Sequence, residues 1–419
     1  MHDILFITHR IPFPPDKGDK IRSYHILKHL AARYRVHLGT FIDDSLDREY
    51  IGELRRLCAS VCAININPRL AKLRSLAGLL TGEPLTVRFY RSRALRKWVR
   101  QVLHENDVVT ALFYCSGVAQ FAPDDASLRR IMDFVDVDSA KWRQYADDAA
   151  WPLRYIHIRE AKRLARVEQR VAAAFDYSLF ASPAEADFFR RHTPGCEGRI
   201  HGMSNGVDAD AFDPNLVTKS PYSRSTSAVV FTGMMDYRAN VEGVSWFASE
   251  VWPRIRERCP QAAFYIVGAR PTRAVRALGK QPGVQVTGRV PDVKPYVKYA
   301  HVAVAPLRIA RGIQNKVLEA QALGTPVVGT PEAFQGIGAF PDRARVTASS
   351  APRFAQAVIN VIATHEPAAP DMRLRQFVRQ HYDWNANLAL LDELLASPGQ
   401  ATELPRGEPT DARLVEMHV

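Results

Sequence analysis

The chain has 419 residues, 47% hydrophobic and 24% charged, which is a globular composition and excludes a disordered or fibrous one. At about 100–200 residues per domain, two domains with full cores are expected. Lys and Arg number 56 against 44 Asp and Glu, a formal charge of +12, which calls for an anionic partner: a nucleic acid, a membrane surface or a phosphorylated substrate.

Cys58, Cys62, Cys115, Cys196 and Cys259 are sparse and odd in number. They complete no zinc site and are expected to be buried free thiols in a reducing cytosol. No stretch approaches the roughly 20 apolar residues of a membrane span. The apolar N-terminus has neither a basic flank nor a cleavage site, so a soluble, unexported protein is expected.

In chain order, residues 4–8 form a short apolar run that predicts a buried parallel strand. A loop containing Pro12, Pro14, Pro15 and Gly18 follows, and then a helix over 20–34. Strand, Gly-bearing loop and helix make the first unit of a doubly wound α/β domain. Further strands are predicted over 36–41, 61–66, 108–113, 130–134 and 177–180, with helices over 86–104, 139–175 and 183–191. The pattern breaks at Ser204-Asn205-Gly206-Val207-Asp208 and a polar stretch with two prolines, which predicts an interdomain linker over 204–227.

A second alternating series follows. Strands are predicted over 229–232, 263–267, 284–287, 302–305 and 326–329, and three of them end directly at Gly233, Gly268 and Gly288. Open α/β sheets bind ligands beyond such strand ends. Helices are predicted over 240–257, 314–323, 352–363 and 370–396, the last interrupted near Tyr382–Asn385. The polar residues 397–419 predict a disordered tail. The domains are therefore 1–203, with a crossover helix at 385–396, and 228–375.

The positive charge is concentrated. Between Arg69 and Arg100 lie Arg69, Lys72, Arg74, Arg88, Arg91, Arg93, Arg96, Lys97 and Arg100 against Glu83 alone, interleaved with leucines and aromatics. Such a segment suits an anionic membrane surface, a nucleic acid backbone or a solvated helix face.

The most chemically informative stretch is 305–328. A strand ends at Pro306, a loop carries Arg308, Arg311 and Gly312, and a helix runs from Gln314 to Gly324. A helix N-terminus offers unpaired N–H groups and the positive end of a dipole, so it can receive phosphate. Arg308, Arg311 and Lys316 surround that end with cations. Glu319, one turn after Lys316, can accept hydrogen bonds from a ribose diol. The set suits a nucleoside diphosphate.

This segment resembles the donor site of glycosyltransferase family 4, the retaining transferases of the GT-B fold. Glu319 and Ala320 through Val328 match the second glutamate and the Ala-x-Ala-x-Gly-x-Pro-Val-Val that follows it. Arg311 stands where the family has its first glutamate. Asn205-Gly206-Val207-Asp208, Phe231-Thr232-Gly233, Val267-Gly268 and Thr287-Gly288 resemble further family motifs. The family places an Arg and a Lys after the first glycine turn to neutralise the diphosphate; here Arg238 follows closely. Residues 14–22 and 133–139 resemble the sugar transferases associated with bacterial PEP-CTERM/exosortase exopolysaccharide loci.

Asp136-Val137-Asp138 after a strand admits three readings: a metal site, an acceptor-side group facing the cleft, or a helix cap. The resemblance implies GT-B architecture: two doubly wound Rossmann-like α/β domains facing a cleft, with donor on the C-terminal half and acceptor on the N-terminal half. The expected reaction moves a sugar from a nucleotide diphosphate sugar to a hydroxyl of a lipid-linked or other glycan, without a metal cofactor. Arg308, Arg311, Lys316 and Asp136 are the expected catalytic residues. Gly18, Gly233, Arg238, Gly268, Gly312 and Glu319 are expected around the donor. Arg69, Lys72, Arg74, Arg91, Arg96 and Lys97 are expected to face an anionic inner membrane from the cytoplasm, which leaves nucleic acid without a role. A nucleotide-sugar 2-epimerase and a non-enzymatic anion binder are the alternatives.

Overall fold

The computed structural model describes residues 2–396 except 16, 17, 124, 126, 148, 310–312 and 368. The predicted tail 397–419 lies outside the described residues, as do Arg311 and Gly312.

Two parallel sheets organise the chain. The first contains β1 (Asp3–Thr8), β2 (Arg35–Ile42), β3 (Ser60–Asn65), β4 (Val108–Tyr114), β5 (Arg129–Val135), β6 (Tyr177–Phe180) and β7 (Ile200–Gly202), in the order β3-β2-β1-β4-β5-β6-β7. The second contains β8 (Ser227–Thr232), β9 (Ala262–Val267), β10 (Val284–Gly288), β11 (Val302–Ala305) and β12 (Val327–Gly329), in the order β10-β9-β8-β11-β12. In each sheet the order reverses direction beside the first strand, between β1 and β4 and between β8 and β11. The crevice beyond the strand ends at such a switch point is where ligands bind. These are the two Rossmann-like halves of a GT-B architecture.

β1 is buried along its whole length, as a central parallel strand covered on both faces must be. The structure departs from the expected elements where prolines and small residues intervene. The helix expected over 139–175 is two antiparallel helices, Asp138–Asp147 and Leu153–Ala174, because Pro152 at the junction lacks the N–H that would continue the ladder. The helix expected over 240–257 runs as Arg238–Trp246 and Trp252–Arg258, joined by one wider turn over Phe247–Val251 beside Pro253. The helix expected over 86–104 is Leu85–Phe89 and Arg93–Glu105, and two more short helices, Pro68–Ser75 and Gly78–Thr81, precede it.

The last helix, Trp384–Ala396, packs on the N-terminal domain. Its Leu388, Leu391, Leu394 and Leu395 are buried in one cluster with Ile26, Leu27 and Leu30 of the helix Gly18–Ala31. His29 Nε2 lies 2.7 Å from Asp392 Oδ1. Between the sheets the chain passes twice. Val207 N–H donates to the Tyr382 carbonyl at 2.8 Å, and a Cβ on Gly206 would come within 2.8 Å of the Trp384 ring. The five cysteines are free thiols, and among the described residues no helix is long and apolar enough to cross a membrane.

Candidate active site

In the C-terminal domain the strand ends β8, β9 and β10 are stitched together by their glycines. Gly233 N–H donates to the Val267 carbonyl and Gly268 N–H to the Gly288 carbonyl, each at 3.1 Å. Gly268 has φ 154°, and a Cβ there would lie 1.7 Å from the Gly233 carbonyl oxygen. No other residue fits. A Cβ on Gly233 would lie 2.7 Å from Asn240 Nδ2 and 3.2 Å from Lys316 Nζ. The demand for glycine at both positions thus comes from the protein's own backbone and side chains.

Lys316, on the helix Asn315–Ala322, reaches over this turn. Its Nζ donates to Asn240 Oδ1 at 2.6 Å and sits 4.2 Å from the centre of the Phe231 ring. Asn240 Nδ2 in turn donates to the Met234 carbonyl at 2.9 Å. Desolvation pulls Lys316 down to about 7, partly opposed by Glu319. Burial pushes Glu319 up to about 7, partly opposed by Lys316. Among the described residues the Glu319 carboxylate receives no hydrogen bond. An anion arriving here would restore full charge to Lys316, so the ammonium is poised to respond to phosphate.

Arg308 is exposed on the loop after β11, and that loop is held near the glycine turn because Gly243 packs against the Pro306 carbonyl. The structure therefore brings Gly233, Gly268 and Lys316 together, with Glu319 one turn away on the same helix and Arg308 on the adjoining loop. Arg238 is placed differently. Its Nε donates to Glu242 Oε1 at 2.7 Å along the exposed face of its own helix, while Asn240 of the same helix bonds Lys316.

On the N-terminal side, Gly18 opens its helix with nothing within 4 Å of an added Cβ, so open space rather than tight packing adjoins it. The loop after β1 carries a network that the sequence reading missed. The Arg10 guanidinium contacts Asp43 at 2.8 Å and Asp19 at 2.5 Å, and His9 stacks on Tyr114. The position of His9-Arg10 directly after a central strand was the available signal.

Asp136 lies 2.7 Å and Asp138 3.5 Å from Lys141 Nζ, so the Asp-x-Asp pair grips a lysine. Asp138 also accepts from Ser116 Oγ at 3.0 Å. The start of this helix is capped from outside by Glu168, which accepts from Ser139 N–H at 3.1 Å and from its hydroxyl at 2.5 Å. Burial, reinforced by Asp138, pushes Glu168 up to about 8. Two residues nearby have left-handed backbones without being glycine, Cys115 (φ 80°) and Val135 (φ 70°). Strain of this kind, about 1–3 kcal/mol per residue, persists where neighbours over-determine the geometry. Here both residues sit at strand ends beside the Asp136–Lys141 pair.

The two halves meet across the cleft at named groups. The Arg270 guanidinium, from the loop after β9, pairs with Asp44 after β2 and lies 3.7 Å from Asp236. Tyr237 of the C-terminal domain is still 60% exposed. Its phenol is nonetheless pushed up by desolvation between the domains, and then by Tyr145 and Asp136 of the N-terminal domain among its neighbours.

Comparison with known proteins agrees with this geometry. Residues 226–364 match the family model described as glycosyl transferases group 1. The whole chain is similar to solved GT-B structures. Sucrose-phosphate synthase from Thermosynechococcus elongatus is 19% identical with a TM-score of 0.66, covering 94% of this chain and 98% of that one. Anabaena HepE, solved in complex with UDP-glucose, is 14% identical with a TM-score of 0.62, covering 94% and 100%. WaaG, a glycosyltransferase involved in lipopolysaccharide biosynthesis, is 14% identical with a TM-score of 0.61, covering 94% and 100%. No curated protein sequence matches the chain.

Proposed function

We propose that this protein is a retaining glycosyltransferase that moves a sugar from a nucleoside diphosphate sugar to a hydroxyl of a lipid-linked glycan in exopolysaccharide synthesis. The observation that carries the reading is the Lys316–Asn240 pair poised over the Gly233 turn, with the Glu319 carboxylate, one turn away, accepting no hydrogen bond among the described residues. In this reading the diphosphate lies against the N-terminal end of the helix Asn315–Ala322, where Lys316 and Arg308 meet its charge. Glu319 receives the ribose hydroxyls. That Anabaena HepE was solved with UDP-glucose supports a uridine diphosphate sugar as the first donor to test.

In the reaction the bond from the anomeric carbon to the phosphate oxygen breaks, and a bond to the acceptor oxygen forms on the same face. The acceptor proton passes to the departing phosphate, so no separate protein base is needed. Asp136 orients the acceptor from the opposite wall of the cleft. The fixed cations meet the leaving-group charge, and the reading assigns no metal cofactor. The acceptor arrives at an anionic inner-membrane surface, on the cytoplasmic side, where Arg69, Lys72 and Arg74 are exposed on one short helix. The other predicted membrane cations are divided differently. Arg91 is paired with Glu83, while Arg96 and Lys97 lie on the separate helix Arg93–Glu105.

A thermal-shift panel of nucleoside diphosphates and their sugars, on wild type and Lys316→Ala, tests the donor site. Stabilisation of wild type by at least one nucleotide, reduced at least about tenfold in affinity in the variant, is expected. A response to none of them would overturn the reading, and product formed from donor alone would point to an epimerase.

A further inference from the structure

The segment 68–82 is folded inside out. Helix Pro68–Ser75 and the short helix Gly78–Thr81 bury Ala71, Ser75 and Gly78, their small residues. The spacing of three and four marks one helical face. The opposite face carries Leu70, Leu73, Leu76, Leu79 and Leu80, all exposed, with Leu73 at 65% and Leu80 at 92%. A helix that needed only to cover this domain would turn its leucines inward. A contiguous apolar ridge left in water marks a surface that something else covers.

The inward face is small for an identifiable reason. A Cβ on Gly78 would come within 2.9 Å of the Glu83 carbonyl, and Arg159 Nη2 donates to the Gly78 carbonyl at 2.5 Å. The segment is thereby docked on the long helix Leu153–Ala174, whose Glu160 also accepts from the Leu85 and Thr86 N–H groups at 2.7 and 2.8 Å. At the start of that helix, six residues or about 9 Å along its axis before Arg159, lies a second exposed apolar group. It is formed by Trp151 at 79%, Leu153 and Tyr155, and Trp151 and Tyr155 line a recess of about 520 Å³ together with Arg154 and Ile158.

We infer that the leucine ridge and this aromatic tip together insert into the interfacial layer of an anionic membrane. The inference rests on the transferase reading only in that a lipid-linked acceptor gives the contact its purpose. Charge complementarity favours a lipid surface over a protein partner. From Pro68 to Gly82 the chain carries Arg69, Lys72 and Arg74 and no acid, so cations interleave with Leu70 and Leu73 in the manner of an interfacial helix. Trp and Tyr are the side chains enriched at headgroup depth. The hairpin that ends at the tip begins at Asp138, beside the Asp136–Lys141 pair. The same element therefore links the membrane contact to the acceptor wall of the cleft.

Flotation of the full chain with vesicles tests this directly, using neutral phosphatidylcholine with and without phosphatidylglycerol at low and high salt. Wild type is expected to float with anionic vesicles, and to keep a substantial part of that binding at high salt, because apolar insertion is not screened. Leu73→Glu/Leu80→Glu and Trp151→Ala/Tyr155→Ala should each weaken binding at least about tenfold. The uridine diphosphate thermal shift should remain unchanged, which separates failure here from failure of the donor site. Arg69→Glu/Lys72→Glu should remove the preference for anionic lipid. Wild-type binding in these leucine variants would overturn the inference. So would full release by salt, or a lipid-free dimer that Leu80→Glu dissolves.

Discussion

Lys316 Nζ donates to Asn240 Oδ1 at 2.6 Å, tying the helix after β11 to the helix after β8 directly above the glycine turn. The two residues are 76 positions apart, and this bond assembles the centre of the site. Its consequences can be measured without knowing the sugar.

The first concerns pH. Lys316 is lowered to about 7 and Glu319 raised to about 7, burial being the larger cause in each. A lysine depressed in the fold binds fewer protons than in the unfolded chain, so stability rises with pH from about 7 up to its unfolded value. A glutamate raised in the fold binds more protons, so stability falls from its unfolded value up to about 7. The pair therefore creates a stability minimum near pH 7. Melting temperatures across about pH 5 to 9 should show this dip as the difference between wild type and Lys316→Met/Glu319→Gln. A flat difference would refute it.

Gly268 and Gly18 should behave oppositely. A Cβ at Gly268 would lie 1.7 Å from the Gly233 carbonyl, whereas one at Gly18 meets nothing within 4 Å. Gly268→Ala should cost about 3 kcal/mol or more in urea unfolding, through forced separation of the two turns. Gly18→Ala should leave stability unchanged or raise it by up to about 1 kcal/mol, since alanine favours the helix. Any loss of turnover in Gly18→Ala would then report crowding of the cleft rather than damage to the fold.

Arg22 and Asp133 form a fully buried ion pair at 2.8 Å, and Arg22 also donates to the Met203 carbonyl at 2.7 Å and to Asn205 Oδ1 at 2.9 Å. Arg22→Met leaves the Asp133 carboxylate buried without its cation, a loss of about 3–5 kcal/mol. Adding Asp133→Leu removes the stranded charge and should recover much of that loss. A double variant no more stable than Arg22→Met would show that the bonds to Met203 and Asn205, not the charge, dominate.

The Arg270–Asp44 contact joins the two domains at the rim of the cleft. Arg270 is 47% exposed, so Arg270→Ala should change unfolding free energy by less than about 1 kcal/mol. Its effect should appear in shape and kinetics. Small-angle scattering should give a larger radius of gyration in the variant, and KM for the donor should rise more than kcat changes. An Arg270→Asp/Asp44→Arg exchange should restore both, and failure of that rescue would assign the effect to the loop itself.

Much of this protein is written locally in its sequence. The strand ending at Thr232, with Gly233 immediately after it, is legible from the apolar run and the glycine, because both signals act within a few residues. The same holds for the helix that carries Lys316 and Glu319 and stops before Gly324. The breaks at Pro152 and Pro253 were also locally encoded, but helical periodicity on either side concealed them. What the sequence could not state was which polar groups meet. Arg238 and Asn240 are two residues apart on one helix, yet the helical turn sends Arg238 to Glu242 and Asn240 to Lys316. The charge tells the same story. The sequence determined that nine cations crowd residues 69–100. Only the tertiary structure decided that Arg91 would be paired with Glu83 and that Arg69, Lys72 and Arg74 would flank outward leucines. The direction in which this segment points its leucines goes with its docking on the helix Leu153–Ala174, where Arg159 donates to the Gly78 carbonyl, a contact from residues far along the chain.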